Sequence, residues 1–203
     1  MKRLYILALA LTAILGQSNA ADAQCQDKSN TVLESLKTRR AIRSYSPEMP
    51  SDELLAKVTE AGTFAPTGMG MQSPLIVVVK DKETRDEIAR LNASVMGRDT
   101  DPFYGAPVVI VVLADRKMPT YINDGSLVMG NLLNAAHAVG LGSCWVHRAK
   151  EVFDMPEGKA LLKKWGIEGD YEGIGNCIIG IPDPTAPAPV AKPRKDGYVI
   201  VVD

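Results

Sequence analysis

Three guanidiniums fall within five residues at Arg39-Arg40-Ala41-Ile42-Arg43, and the planar fork of arginine suits bidentate binding of phosphate oxygens. The same cluster would also make a solvated basic face at a helix end, where cations sit well on the dipole. A second segment, Ala65-Pro66-Thr67-Gly68-Met69-Gly70-Met71-Gln72, offers two glycines, a hydroxyl and an amide. Glycine lets backbone N–H groups approach a ligand closely, although an ordinary turn has the same composition. No Gly-Lys-Ser/Thr follows, so the segment is not a phosphate P-loop. A third runs from Gly140 to Arg148, with Trp145, Val146 and His147 where an apolar stretch emerges. Strand ends present free backbone amides, and an aromatic wall beside them suits a flat ligand; a core Trp beside a surface His is the plainer alternative. The fourth is Lys192-Pro193-Arg194, two cations flanking a rigid proline, which taken alone reads as a soluble tail.

These residues need elements to position them. Thr31-x-x-Glu34 resembles a capping box ahead of a short helix bearing Val32, Leu33 and Leu36. Leu54, Leu55, Val58 and Ala61 recur at helical spacing from Ser51 to a point before Pro66. Leu75 to Val79 and Val108 to Leu113 are continuous apolar runs and are expected as buried strands. Ile88, Leu91 and Val95 mark another helix. From Tyr121 to Val139 the chain is apolar or small over much of a helical circumference, with Gly140 at the stop position, which predicts a central, buried helix. Ser143 to Val146 and Ile174 to Ile179 supply two more short strands. Pro182 to Pro193 carries five prolines and must run as an extended arm, followed by a last strand candidate at Tyr198 to Val202. Such an arm and strand would lie on a partner subunit or fold back on their own domain. The expected class is α+β or three-layer: a mixed sheet wrapped by helices, with a long core helix.

With 203 residues, 46% hydrophobic and 23% charged, the composition fits one compact domain, placed at residues 29–203. A net charge of −1 gives no global positive field for nucleic acid. Lys2 and Arg3 precede an apolar run from Leu4 to Leu15, and small residues follow at Ala20 and Ala23. That layout predicts a secretory signal peptide over residues 1–20, with cleavage as late as 23 as the alternative, and hence a periplasmic or envelope location. The run is too short for a stable membrane span. Cleavage after Ala20 would remove two lysine or arginine charges and no acidic one, so −1 becomes −3. Cys25, Cys144 and Cys177 form no CxxC pair and no zinc spacing, and no metal is expected. Cys144 and Cys177 sit in strand-like segments as core residues, and Gln24 before Cys25 fits a lipobox poorly.

Taken together, the four segments resemble the nitroreductase family of FMN-dependent oxidoreductases, in the same order over roughly Leu33 to Val202. Arg39-Arg40-Ala41-Ile42-Arg43 stands where that family has its R-R-S-x-R phosphate and ribityl segment. Ala65-Pro66-Thr67-Gly68 resembles its A-P-S-G loop, with Gln72 as the following glutamine. Asn131 to Trp145 is similar to its N-x-x-L-A-A-H-x-x-G-L-G-x-C-W stretch, and Lys192-Pro193-Arg194 stands at its C-terminal basic pair.

The resemblance implies a homodimer with FMN at the subunit interface. Arg39, Arg40, Ala41, Arg43, Lys192 and Arg194 would meet phosphate and ribityl. Pro66, Thr67, Gly68 and Gly70 would come from the partner, and backbone near Trp145, Val146 and His147 would face the flavin edge. The implied activity is ping-pong reduction of nitroaromatics, quinones or similar acceptors by NAD(P)H, with hydride passing through flavin N5 and no side-chain triad. Two positions depart from the family pattern: Ala41 replaces a serine and Gly70 replaces a common asparagine, each removing a side-chain hydrogen bond. Because reduced nicotinamides are cytoplasmic, the export signal sets up an alternative, an envelope flavoprotein using another donor or oxygen. A cofactor-free dimeric interaction protein is the third reading, since fold does not guarantee function.

Overall fold

The computed structural model describes residues 31–203. The signal-like residues 1–20, the alternative boundary at Ala23, and Cys25 lie outside the described residues. Residues 31–38 are helical (α1), and the chain from Arg39 to Asp203 forms a separate compact unit. Within that unit α2 (Asp52–Thr63) starts where the Ser51 hydroxyl accepts the Leu54 N–H at 3.3 Å. A 3₁₀ turn (Gly68–Gly70) and β1 (Pro74–Val79) follow. The Asp81 carboxylate then caps α3 (Lys82–Met96) by accepting from Thr84, and Gly97 ends it in the left-handed conformation. Next come β2 (Val108–Asp115), α4 (Tyr121–Ala138), β3 (Gly142–Val146), α5 (Ala149–Asp154), α6 (Pro156–Lys164) and β4 (Tyr171–Gly180).

The sheet order is β1-β2-β4-β3, and every neighbouring pair is antiparallel. The mixed sheet expected from sequence survives only as one parallel bridge, Ala41 to Ser143, outside the named strands. β2 is buried from Val108 to Ala114 because it is paired on both edges and covered on both faces. Val108, Ile110 and Val112 join Leu55, Val58, Val128 and Leu132 of α2 and α4. Val109, Val111 and Leu113 join Ile88, Leu91, Phe153 and Leu161 of α3, α5 and α6. The alternation of strand side chains thus builds two cores, and the three-layer α+β architecture follows.

Three further expectations are corrected. β1 is only half-buried, because it is an edge strand with one paired neighbour. α4 is covered on one face only: Val128, Met129, Leu132 and Ala136 are buried, while Ile122 and Leu127 are exposed. Tyr198 to Val202 forms no strand and is exposed throughout, since within one chain no sheet edge meets its backbone groups. Two helices, α5 and α6, occupy a stretch to which the periodicity reading assigned no element. The start of the arm does fold back on its own unit. Ser46 N–H donates to the Ile181 carbonyl at 2.9 Å, and Asp183 N–H donates to the Ser44 carbonyl at 3.1 Å.

Candidate functional site

The arginine segment is pinned to the exposed edge of β3. Ile42 N–H donates to the Ser143 carbonyl at 2.9 Å, and the Tyr45 hydroxyl donates back to the Ile42 carbonyl at 2.7 Å. This lays Ala41 and Ile42 beside β3, sends Ser44 to Ser46 along Ile181 to Asp183, and brings Arg43 to the cavity at that edge. The cavity, of about 510 Å³, is lined by Arg43, Tyr104 and the run from Cys144 to Arg148. Trp145 is 51% exposed, and its ring meets that of His147 edge-on at 5.6 Å between centroids. Three expected site residues, Trp145, Val146 and His147, therefore do meet Arg43 in one place.

Arg39 and Arg43 take part in no ion pair among the described residues; Arg43 instead lies over the Tyr104 ring, 5.8 Å from its centroid. Both act on Cys144. Burial pushes that thiol's pKa up, against the opposing pull of the Arg43 and Arg39 guanidiniums. Two cations with no acidic partner beside one buried strand are the donor set a phosphate ester requires. Arg40 turns differently, one guanidinium nitrogen donating to the Arg39 carbonyl at 2.7 Å, and Ala41 forms the bridge to Ser143.

The Pro66–Gln72 loop lies elsewhere in the chain. Gly68 N–H donates to Asp124 Oδ1 at 3.0 Å, while Thr120 and Ser73 hydroxyls donate to Oδ2 at 3.1 and 3.3 Å. Asp124, in the first turn of α4, is buried and so serves as the loop's anchor. A Cβ at Gly68 would stand 2.3 Å from the Thr120 hydroxyl, so this glycine is required by close approach. Met69, Gly70 and Gln72 all adopt positive φ. Thr67 and Gln72 line a cavity of about 300 Å³ beside β1, whereas Pro66, Gly68 and Gly70 line neither that cavity nor the one at the β3 edge. The loop leads into β1 at one edge of the sheet and the arginine segment pairs with β3 at the other, so a single chain does not bring them together.

Nor does it close Lys192 and Arg194 around Arg39 and Arg43. Both arm cations are exposed, and among the described residues Arg194 donates only to the Lys192 carbonyl. The arm nevertheless begins beside the arginine segment. Pro182, Pro184, Pro187 and Pro189 line a cavity of about 280 Å³ together with Ile42 and Arg43. Lys192 is three residues beyond Pro189, a reach of at most about 11 Å.

Four further residues shape the β3-edge cavity, and of these only Arg148 falls in a segment that the sequence marks. Fully buried Asn92 on α3 uses both ends of its amide there: Nδ2 donates to the His147 carbonyl at 2.8 Å, and Oδ1 accepts from Arg148 Nε at 3.0 Å. Arg148 holds a left-handed backbone at φ 75 as β3 gives way to α5. Arg98 lines the wall, and Tyr104 stacks on Arg43. Asn176 on β4 is also fully buried; its Nδ2 donates to the Val146 carbonyl at 3.4 Å, and its Oδ1 has no partner among the described residues. Cys144 and Cys177 are free, buried thiols in opposite cores, as the sequence led us to expect. His137 is half-buried on α4.

Comparison with known proteins points to one family. The family model described as the nitroreductase family matches residues 36–99 and 97–181. An Archaeoglobus fulgidus protein named for NADH dehydrogenase or NAD(P)H nitroreductase activity is 34% identical over 156 residues, 74% of this chain and 84% of its own. A Bacteroides fragilis nitroreductase solved with bound FMN superposes with a TM-score of 0.78 at 25% identity, over 85% of this chain and 98% of its own. A second FMN-bound nitroreductase, from Desulfitobacterium hafniense, gives 0.73 at 28% identity over 84% and 97%.

Proposed function

Because this chain belongs to the nitroreductase family, we propose that it binds FMN at the β3 edge and passes two electrons from NAD(P)H to a small aromatic or quinone acceptor. The carrying observation is Arg43, which makes no ion pair among the described residues and lines the β3-edge cavity together with the run from Cys144 to Arg148, with Arg39, likewise outside every ion pair there, four residues before it. Arg39 and Arg43 hold the phosphate of the cofactor, with Lys192 and Arg194 closing on it from the arm that starts beside Arg43. Arg40, Ala41, Pro66, Thr67, Gly68 and Gly70 complete the expected contacts, the last four from a second copy of the chain. Trp145 forms an aromatic wall, and the backbone of Val146 and His147 fixes the edge of the ring system, braced from behind by Asn92. When bound, FMN supplies reversible two-electron chemistry at its N5 face. The overall exchange is NAD(P)H, a proton and a quinone giving NAD(P)⁺ and a hydroquinone.

A homodimer belongs to this reading. The bare face of α4, with Ile122 and Leu127, and the exposed run from Tyr198 to Val202 support it, since apolar surface of that kind is normally covered. The N-terminal pattern supports export as part of this reading; mass analysis of protein from the envelope fraction should find a chain beginning after Ala20 or Ala23. That pattern also favours a second reading, the same flavin site served by a donor other than a nicotinamide, or by oxygen. Anaerobic addition of NADH or NADPH to purified, FMN-loaded protein tests the proposal. Rapid loss of the flavin absorption with either supports it, no loss with both favours the second reading, and protein that stays colourless after FMN incubation contradicts both.

A further inference from the structure

The cavity at the β3 edge carries more positive charge than a phosphate site needs. Arg43, Arg98 and Arg148 all line it. Asp101 is the one carboxylate lining it among the described residues, and it is already committed. It takes Arg85 Nη2 at 2.7 Å and the N–H groups of Phe103 and Gly105 at 2.8 and 2.9 Å. Arg85 is itself buried, and Asp101, though exposed, commits its carboxylate to these three donors. Arg148 spends only its Nε, on Asn92, and its terminal nitrogens have no partner among the described residues. The Arg98 guanidinium likewise makes no hydrogen bond or ion pair there.

We propose that Arg98 and Arg148 form an anion subsite that selects, as electron acceptor, planar aromatic molecules bearing an acidic group. This rests on the flavin reading above, in which Arg43 serves the cofactor and leaves the other two arginines to the exchanging substrate. A guanidinium binds a carboxylate through two parallel hydrogen bonds, and Trp145 supplies the flat surface against which an aromatic ring lies. Arg148 is the better fixed of the two, because buried Asn92 holds its Nε while leaving the fork free. The acid's charge is attracted by both arginines and opposed by no unpaired carboxylate in the cavity wall.

The test is calorimetric titration of the oxidised, FMN-loaded full-length protein with 4-nitrobenzoate and with 4-nitrobenzamide, which differ little in shape. The acid should bind at least about tenfold more tightly, and raising ionic strength should weaken the acid alone. Arg98→Gln and Arg148→Gln should each bring the acid-to-amide ratio toward unity, with Arg98→Gln sufficient if the second variant fails to fold. Equal binding of acid and amide by a protein that holds FMN overturns this subsite and leaves the flavin reading standing. A charge preference seen only as NADPH over NADH, and lost in the same variants, also overturns it by assigning the arginines to the donor. Failure to take up FMN at all removes both readings together.

Discussion

Asp101 and Arg85 brace the wall that carries Arg98. Arg85 Nε donates to the Ala106 carbonyl at 3.0 Å, its guanidinium lies over the Phe103 ring, and its remaining nitrogens meet Asp86 and Asp101. Burial by itself would raise the Asp101 pKa. The hydrogen bond from Arg85, the Gly105 and Phe103 N–H groups and the Arg85 charge outweigh it, and the carboxyl sits below its usual value. A carboxyl whose pKa is lower in the folded state adds stability above the unfolded pKa and loses it as pH falls through the folded one. The unfolded value is near 4, so the window opens at about pH 4 and runs downward. Thermal unfolding of wild type and Asp101→Asn should therefore differ most at neutral pH, with the gap narrowing below about pH 4. A gap that stays constant across this range would show that the charge of Asp101 contributes nothing.

Among the elements, the α5–α6 junction is tight at Gly158. A Cβ at Gly158 would lie 1.9 Å from the Val152 carbonyl oxygen, a backbone atom that cannot swing aside. Replacing glycine with alanine inside a helix ordinarily stabilises by about 0.5–1 kcal/mol. Here the sign should reverse, with Gly158→Ala destabilising by about 2–4 kcal/mol in urea unfolding; a gain in stability would contradict the packing. This junction was not legible from sequence. α5 is only six residues long, too short for helical periodicity to stand out, and Pro156 reads as readily as a loop as it does a first helical position. Longer elements were legible because their patterns are redundant: Leu55 and Val58 on α2, the seven consecutive buried positions of β2, and Gly140 after α4. Edge and centre were not separable, because a run such as Leu75 to Val79 has the same composition whether one or two neighbours pair with it. In the site, Arg43 and Trp145 to His147 announced themselves by residue type and motif. Asn92 did not, because an asparagine within a helix becomes a brace only through contacts 55 and 56 residues away.

At the scale of the whole molecule, three features of the single chain stand exposed or apart. The apolar run Tyr198 to Val202 and the bare side of α4 are exposed, and the Pro66–Gly70 loop lies apart from the arginines. A homodimer would answer all three. Truncation after Pro189 removes Lys192, Arg194 and the apolar end while leaving the sheet and its two cores untouched. The shortened protein should sediment as a monomer and hold FMN at least about tenfold more weakly; an unchanged dimer with full FMN content would assign the arm another role. The central claim, that cations on the β3 edge grip a phosphate ester, is tested most directly by titrating the full-length protein with FMN and with riboflavin, which lacks the phosphate. FMN should bind at least about a hundredfold more tightly, the worth of two charge-assisted contacts, and Arg43→Ala should shrink that advantage. Equal affinity for the two flavins would contradict it.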